Sequence, residues 1–233
     1  MRRGAAGLAA VALLLLGGCE DPAPLKVGFI GGLSGRSADI GEASRNAVQL
    51  AVEEVNEAGG IDGHLIELVV RDDANDPDVA AAAVRDLHGA EVEAIIGPNI
   101  SAIGAGMLPV INELKLVTVS PTVSALSFAD IDDYLFRINW TTRDNARAYA
   151  KRYSELGYRR IAGAIDANNR VFSESWLQEF ETAFSEAGGE VVGREVFDAN
   201  EREGYFKTAQ ALLASDAEAL LLVANSVDTA QLA

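Results

Sequence analysis

From Leu25 onward, strand-like and helix-like segments alternate along this chain, and few sequence features restrict a fold more. Leu25–Ile30 is a short apolar run closed by Gly31-Gly32. Glu42–Ala58 sets Val48, Ala51, Val52 and Val55 on one helical face and stops at Gly59-Gly60, because glycine accepts the left-handed conformation of a helix C-cap. A strand follows over Leu65–Arg71, and Asp76-Pro77 then supplies an N-cap and a proline for the first turn of the next helix. Ala94–Gly97 reads as a strand, Ser101–Glu113 as a helix and Leu116–Val119 as a strand. Between Ser120 and Asn145 the rhythm breaks into a polar connection containing Tyr134–Ile138. It resumes with helices over Ala146–Leu156, Trp176–Ala187 and Tyr205–Ala214, and with strands over Arg160–Ile165, Glu190–Phe197 and Ala219–Val223. Repeated strand–helix units predict an α/β fold with parallel sheets covered on both faces.

An internal echo splits the pattern in two. Glu57-Ala58-Gly59-Gly60 leads into a strand followed by Asp72-Asp73-Ala74-Asn75, and Glu186-Ala187-Gly188-Gly189 leads into one followed by Asp198-Ala199-Asn200. Two similar lobes, joined near Arg137–Thr142, account for both copies. With 233 residues, 49% of them hydrophobic, the chain has enough apolar surface for two modest cores, which excludes intrinsic disorder.

The first residues read as an address. Met1-Arg2-Arg3 precedes the apolar stretch Leu8–Leu16, too short to span a bilayer and laid out like a secretory signal. The only cysteine follows at once, in Leu16-Gly17-Gly18-Cys19. That segment resembles a bacterial lipoprotein box, which implies cleavage before Cys19, lipidation of Cys19, and attachment to a membrane through the acyl chains. The organisation expected is a leader over 1–18, a tether over 19–25, a first lobe over 26–138 and a second, incomplete lobe over 139–233. Loss of Arg2 and Arg3 with the leader takes the net charge from −16 to −18. A surface this acidic repels phosphate backbones, so nucleic acid is not an expected partner.

The side chains of an enzyme are hard to find. His64 and His88, the only two histidines, lack partners at metal-ligand spacing, and one cysteine excludes a disulfide framework. Gly28, Gly31, Gly32 and Gly35 do not make the dinucleotide fingerprint. The acids Asp72, Asp73, Asp76 and Asp78 lack the central glycine and terminal glutamate of a calcium loop, and Asp76 and Asp78 read as helix-cap acids. No metal or cofactor is expected. What remains is a set of small polar loops at strand C-terminal ends, the edge where doubly wound sheets bind ligands. Gly97-Pro98-Asn99-Ile100-Ser101 runs into a helix whose first N–H groups and Ser101 hydroxyl suit a carboxylate. Ser120-Pro121-Thr122-Val123-Ser124 offers hydroxyls and carbonyls on the next strand end, among them acceptors for an ammonium. Read singly, each loop is equally a set of ordinary turns and caps.

These residues also carry a resemblance. Val27-Gly28-Phe29-Ile30-Gly31-Gly32-Leu33-Ser34-Gly35, Ala51–Gly63, Asp72–Pro77, Ile95-Ile96-Gly97-Pro98, Ser120-Pro121 and Phe136-Arg137 resemble, in order, the motifs of type I periplasmic binding proteins of the branched-chain amino acid receptor branch. The resemblance implies two Rossmann-like lobes joined by three crossovers and closing on a small solute, an amino acid or a relative of one, with delivery to an ABC permease and no catalysis. By position it assigns ligand contacts to Ser34, Asn99, Ile100, Ser101, Thr122, Ser124, Phe172 and Asn225, with Ser101 on a ligand carboxylate, Thr122 and Ser124 on its ammonium and carboxylate, and Phe172 closing over it. The sequence departs from the family pattern at Ile40 and Asn225, where aromatics are common, at Phe172, which has no phenolic hydroxyl, and at Ser173 and Ser175, which replace glycines. Family members run roughly half as long again, as two full lobes require. The chain is therefore expected to be either a fragment of such a receptor or a degenerate, partner-binding version of the fold without a transport ligand.

Overall fold

A computed structural model describes residues 22–201 and 203–233. The leader, Cys19 and the start of the tether lie outside the described residues. Strands β1 (Leu25–Gly31), β2 (Ile66–Asp72), β3 (Ala94–Ile96), β4 (Thr118–Ser120) and β5 (Leu135–Arg137) form one sheet in the order β2-β1-β3-β4-β5. Strands β6 (Arg160–Asp166), β7 (Glu190–Phe197) and β8 (Ala219–Val223) form a second, β7-β6-β8. Every strand pair is parallel. The helices between them are α1 (Ala38–Glu57), α2 (Pro77–Gly89), α3 (Ser101–Leu114), α4 (Thr142–Glu155), α5 (Arg170–Glu186), α6 (Gly204–Ala214) and α7 (Ser226–Leu232).

The echo in sequence is an echo in structure. β1, β2 and β3 occupy the same order as β6, β7 and β8, and the two Glu-Ala-Gly-Gly stops end the equivalent helices α1 and α5. After each flanking strand an aspartate takes the N–H two residues on, Asp73 from Asn75 and Asp198 from Asn200, both at 2.8 Å. The first sheet continues with β4 and β5; the second, among the described residues, has three strands.

Several boundaries differ from the sequence reading. Leu25, placed in the tether, already pairs with Ile66 as the first residue of β1. Helix α1 starts at Ala38, four residues before the expected Glu42. Its first turn contains Gly41, where a Cβ would come 1.9 Å from the Gly32 carbonyl oxygen, so the turn lies directly on the β1 loop. Helix α4 starts at Thr142 behind a reciprocal cap, Thr141 accepting from the Asp144 N–H while the Asp144 carboxylate receives the Thr141 N–H. Helix α5 starts at Arg170, one turn and more before Trp176. Tyr134–Ile138, within the polar connection, contains β5, a strand paired with β4.

Each sheet has its own core. Ile30, Ile95, Val84, Leu87, Met107 and Ile111 are buried together around the first. Ile161, Ile165, Trp176, Leu177, Phe180 and Phe184 are buried around the second. No helix of the described residues is long and apolar enough to cross a membrane.

Candidate functional site

In each sheet the chain leaves β1 or β6 toward one face and β3 or β8 toward the other, opening a crevice at the strand C-termini. The two crevices share one cleft of about 270 Å³. Ser37 and Ile40 after β1, Asn99, Ile100 and Ser101 after β3, and Thr122 after β4 form one wall. Asp166, Asn169, Phe172 and Ser173 after β6, with Val223, Ala224 and Asn225 after β8, form the other. The volume lies near the small end of ligand pockets and suits a small solute.

The first wall is built by backbone geometry. Gly97 has φ +123°, and a Cβ there would fall 2.0 Å from the Ile30 carbonyl oxygen, so only glycine lets the β3 loop turn against β1. That turn delivers Asn99 beside Gly31, whose missing side chain makes room for the Asn99 amide. Asn99 is 7% exposed, and neither its amide oxygen nor its nitrogen has a hydrogen-bond partner among the described residues. The Ser101 hydroxyl opens α3 and accepts long bonds, 3.4 Å each, from the N–H groups of Ser124 and Ala125. Its own proton has no acceptor in these bonds. Thr122 is the reverse: its hydroxyl donates to the Asn99 carbonyl at 2.6 Å, leaving lone pairs as its remaining capacity.

The second wall reaches across the cleft. Asn169, at the N-cap of α5, makes no side-chain cap to its own helix. Its Oδ1 instead accepts from the Ala102 N–H at 3.1 Å. One of the N–H groups that the sequence offers to a carboxylate is therefore already taken by the opposite lobe. Farther along, Arg36 donates to Tyr205 and to the Asp228 carboxylate. The Tyr205 hydroxyl also donates to Asp228 at 2.6 Å, Asn225 Nδ2 does so at 2.8 Å, and Ser226 donates to Asp39 at 2.8 Å. Hydrogen bonding to Asp228 holds the Arg36 guanidinium above its ordinary range even against its own partial desolvation.

Charge at the strand ends is unevenly supported. Burial opposes ionisation of Asp72, but N–H donors from Leu33 and Ala74, 2.8 Å each, outweigh it and hold the carboxyl below its ordinary value. Asp73 is almost fully buried, and burial pushes it up to about 6 despite the bond from Asn75. Asp166 is raised as well, by burial foremost, with the Asp228 charge adding to it against the bonds from Asn168. Asp76 caps α2 through the N–H groups of Asp78 and Val79.

Of the eight residues assigned from sequence, Asn99, Ile100, Ser101, Thr122, Phe172 and Asn225 meet at the cleft. Ser34 is exposed and outside the lining; its carbonyl accepts from Asn75 Nδ2 at 3.1 Å. Ser124 is buried behind the wall, its carbonyl taken by the Thr142 N–H at 2.8 Å. Asp166, Asn169 and Arg36 were not singled out in the sequence. Asp166 had a readable signal, as the acid that ends an apolar strand at the ligand-binding edge. Arg36 and Asp228 are 192 residues apart, and no local pattern joins them.

The profile of a family described as periplasmic binding protein matches residues 24–233. The Leu/Ile/Val-binding protein BraC3 of Rhizobium johnstonii is 32% identical over 103 residues, which are 44% of this chain and 28% of that protein. The Leu/Ile/Val-binding protein homolog 2 of Brucella abortus is 30% identical over 124 residues, 53% of this chain and 33% of its own length. Among solved structures, the branched-chain amino acid substrate-binding protein LivJ of Streptococcus pneumoniae, in complex with isoleucine, superposes with a TM-score of 0.77 at 26% identity. The match covers 85% of this chain and 56% of LivJ. A solute-binding protein of Rhodopseudomonas palustris in complex with 4-hydroxybenzoate shares the fold with a TM-score of 0.78 at 21% identity, over 88% of this chain and 55% of its own. The chain thus spans little more than half of these structures and a third or less of the sequence relatives.

Proposed function

Because this chain belongs to the type I periplasmic binding proteins of the branched-chain amino acid receptor family, we propose that it is the solute-binding component of an ABC importer. It holds an amino acid or a related small polar solute between its lobes, without catalysis. After secretion across the inner membrane, Cys19 carries the lipid that anchors it to a membrane on the periplasmic or cell-surface side, and its partner is the ABC permease of the inner membrane. One observation carries this reading. A cleft of about 270 Å³ between two sets of strand ends contains a buried amide, Asn99, with no partner of its own. Buried polar groups are paired almost without exception, so an unpaired amide in a cleft marks where a ligand or water completes the bonding.

Apolar walls from Ile40, Ile100, Phe172, Val223 and Ala224 would cover the solute's body, while the Ser101 hydroxyl donates to its carboxylate. The test is a thermal-shift and calorimetric panel of amino acids, amides and small carboxylates. A true ligand at a hundred times its dissociation constant stabilises the protein by about 2.7 kcal/mol. Ser101→Ala is expected to weaken a carboxylate ligand by roughly 1–3 kcal/mol. A flat response over the whole panel would refute solute binding, and unchanged affinity in Ser101→Ala would remove that residue from the site.

A further inference from the structure

The cleft between the lobes continues into a second chamber. Ser37, Asp166 and Asn225 line both it and the first, and so form a waist between the two. Beyond the waist lies a polar space of about 240 Å³, bordered by Arg36, Asn75, Asn168, Asn200 and Asp228. Gly32 seats Asn75 there much as Gly31 seats Asn99 in the first chamber: a Cβ on Gly32 would come 2.7 Å from Asn75 Oδ1. That oxygen is buried and has no hydrogen-bond partner among the described residues.

The charges of this chamber are answered within the fold, because Arg36 pairs with Asp228. Its amides are only half used. Asn75 Nδ2 donates to the Ser34 carbonyl at 3.1 Å, but its oxygen is idle. Asn200 Nδ2 donates to Asn168 Oδ1 at 3.1 Å, and no donor reaches Asn200 Oδ1 among the described residues. Ser37, at the N-cap of α1, makes no side-chain cap, so the waist holds a hydroxyl able to donate and to accept. A carboxamide suits such a lining, since it gives and takes hydrogen bonds and brings no charge out of water. A carboxylate would face Asp166 and Asp228, an ammonium would face Arg36, and an apolar chain would leave the amides unpaired.

We propose that this chamber is a second subsite of the cleft and takes a carboxamide at the far end of the solute. The protein then prefers an elongated, amide-tailed solute to an aliphatic one of the same length. The assignment rests on the reading of the first chamber as a solute site.

The experiment is calorimetry on the full chain with four amino acids of similar length, L-glutamine, L-methionine, L-glutamate and L-ornithine, beside the broader panel. Glutamine is expected to bind at least roughly tenfold more tightly than the other three. Asn200 is exposed and borders the second chamber but not the first, so Asn200→Leu is expected to keep the melting temperature. In that variant the preference for glutamine over methionine should fall to within about threefold. Ser101→Ala, acting in the first chamber, should leave the preference in place while weakening both. Glutamine bound no better than methionine by the unaltered protein overturns the subsite and leaves the solute site standing. A panel whose tightest ligand carries no carboxamide does the same, and so does a glutamine preference that survives Asn200→Leu. Binding of no panel member refutes the solute site and this assignment with it. Should Asn200→Leu not fold, Asn200→Asp serves in its place: the added charge should lower the preference, and an unchanged preference rejects the subsite.

Discussion

Helices α1 and α5 occupy the same place in the two lobes, follow equivalent strands and end at the same Glu-Ala-Gly-Gly stop, yet they are packed in opposite ways. Helix α5 buries Trp176, Leu177, Phe180 and Phe184, with ring centroids 5.7 Å apart for Trp176–Phe180 and 5.2 Å for Phe180–Phe184. Helix α1 is longer, but Gly41 and Val52 are its only buried residues. Beneath it, between Val48, Val52 and Val55 and the sheet residues Val27 and Ile96, lies an apolar space of about 400 Å³. Connectivity and core packing are therefore separate properties: the repeat fixes where a helix runs, and side-chain volume decides how much it contributes to stability.

The largest expected effect tests that separation. Phe180→Ala leaves a cavity inside a stacked aromatic column and should cost about 3–5 kcal/mol in denaturant unfolding. Val48→Ala, at the matching helix but beside open space, should cost less than about 1 kcal/mol. Comparable losses would mean that α1 is as tightly packed as α5 and would break the comparison.

The sequence made the repeat legible because periodicity and glycine stops are local. β7 and β8 have the bounds expected of them, and Asp76-Pro77 opens α2 as read. Loop residues such as Asn99, Ser101 and Thr122 were legible for the same reason, being small and polar at strand ends. Less legible were segments whose form depends on partners. β5 is three residues long and is a strand through its pairing with β4. The first turns of α1, α4 and α5 precede their apolar stripes, so periodicity places those helices too late. Asn169 and Arg36 act across the cleft, where neither has a neighbour in sequence to betray its role.

A second contrast lies in the paired turns after β2 and β7. Asp73 and Asp198 make the same 2.8 Å bond to the residue two on, but Asp73 is 1% exposed and Asp198 only half-buried. Burial raises Asp73 from 3.8 to about 6, so the folded state keeps its proton where the unfolded chain has lost it. Stability from this group is present below about pH 4 and is lost as pH rises through about 6, a cost of about 3 kcal/mol at neutral pH by linkage. Asp73→Asn, which preserves the acceptor, should raise stability at pH 7 by up to that amount and change little at pH 4. Denaturant midpoints at the two pH values measure the difference, and a gain in Asp73→Asn that is equal at pH 4 and pH 7 would refute the burial argument.

The smallest effect concerns what ties the unlike lobes together. Asp228 is 1% exposed and receives Tyr205 and Asn225 from its own lobe, but its cation comes from Arg36 in the other. Removing Arg36 leaves a buried carboxylate with neutral donors only, so Arg36→Met should destabilise by roughly 1–3 kcal/mol. The Arg36 side chain is 39% exposed, and screening keeps the effect toward the lower end at physiological salt. Asp228→Asn alone strands the guanidinium near the surface, where water replaces its partner, and should cost less. The double variant separates the ion pair from the separate contributions of its members. A coupling energy near zero would show that the lobes are held by their other contacts instead, among them Asn169 on Ala102, Ser226 on Asp39, Ser175 on Leu126 and Val171 packed beside Val123 and Phe128. A coupling that accounts for most of the Arg36→Met loss places the electrostatic tie at this one corner, where the loop leading into the sparsely buried helix α1 reaches a buried partner in the second lobe.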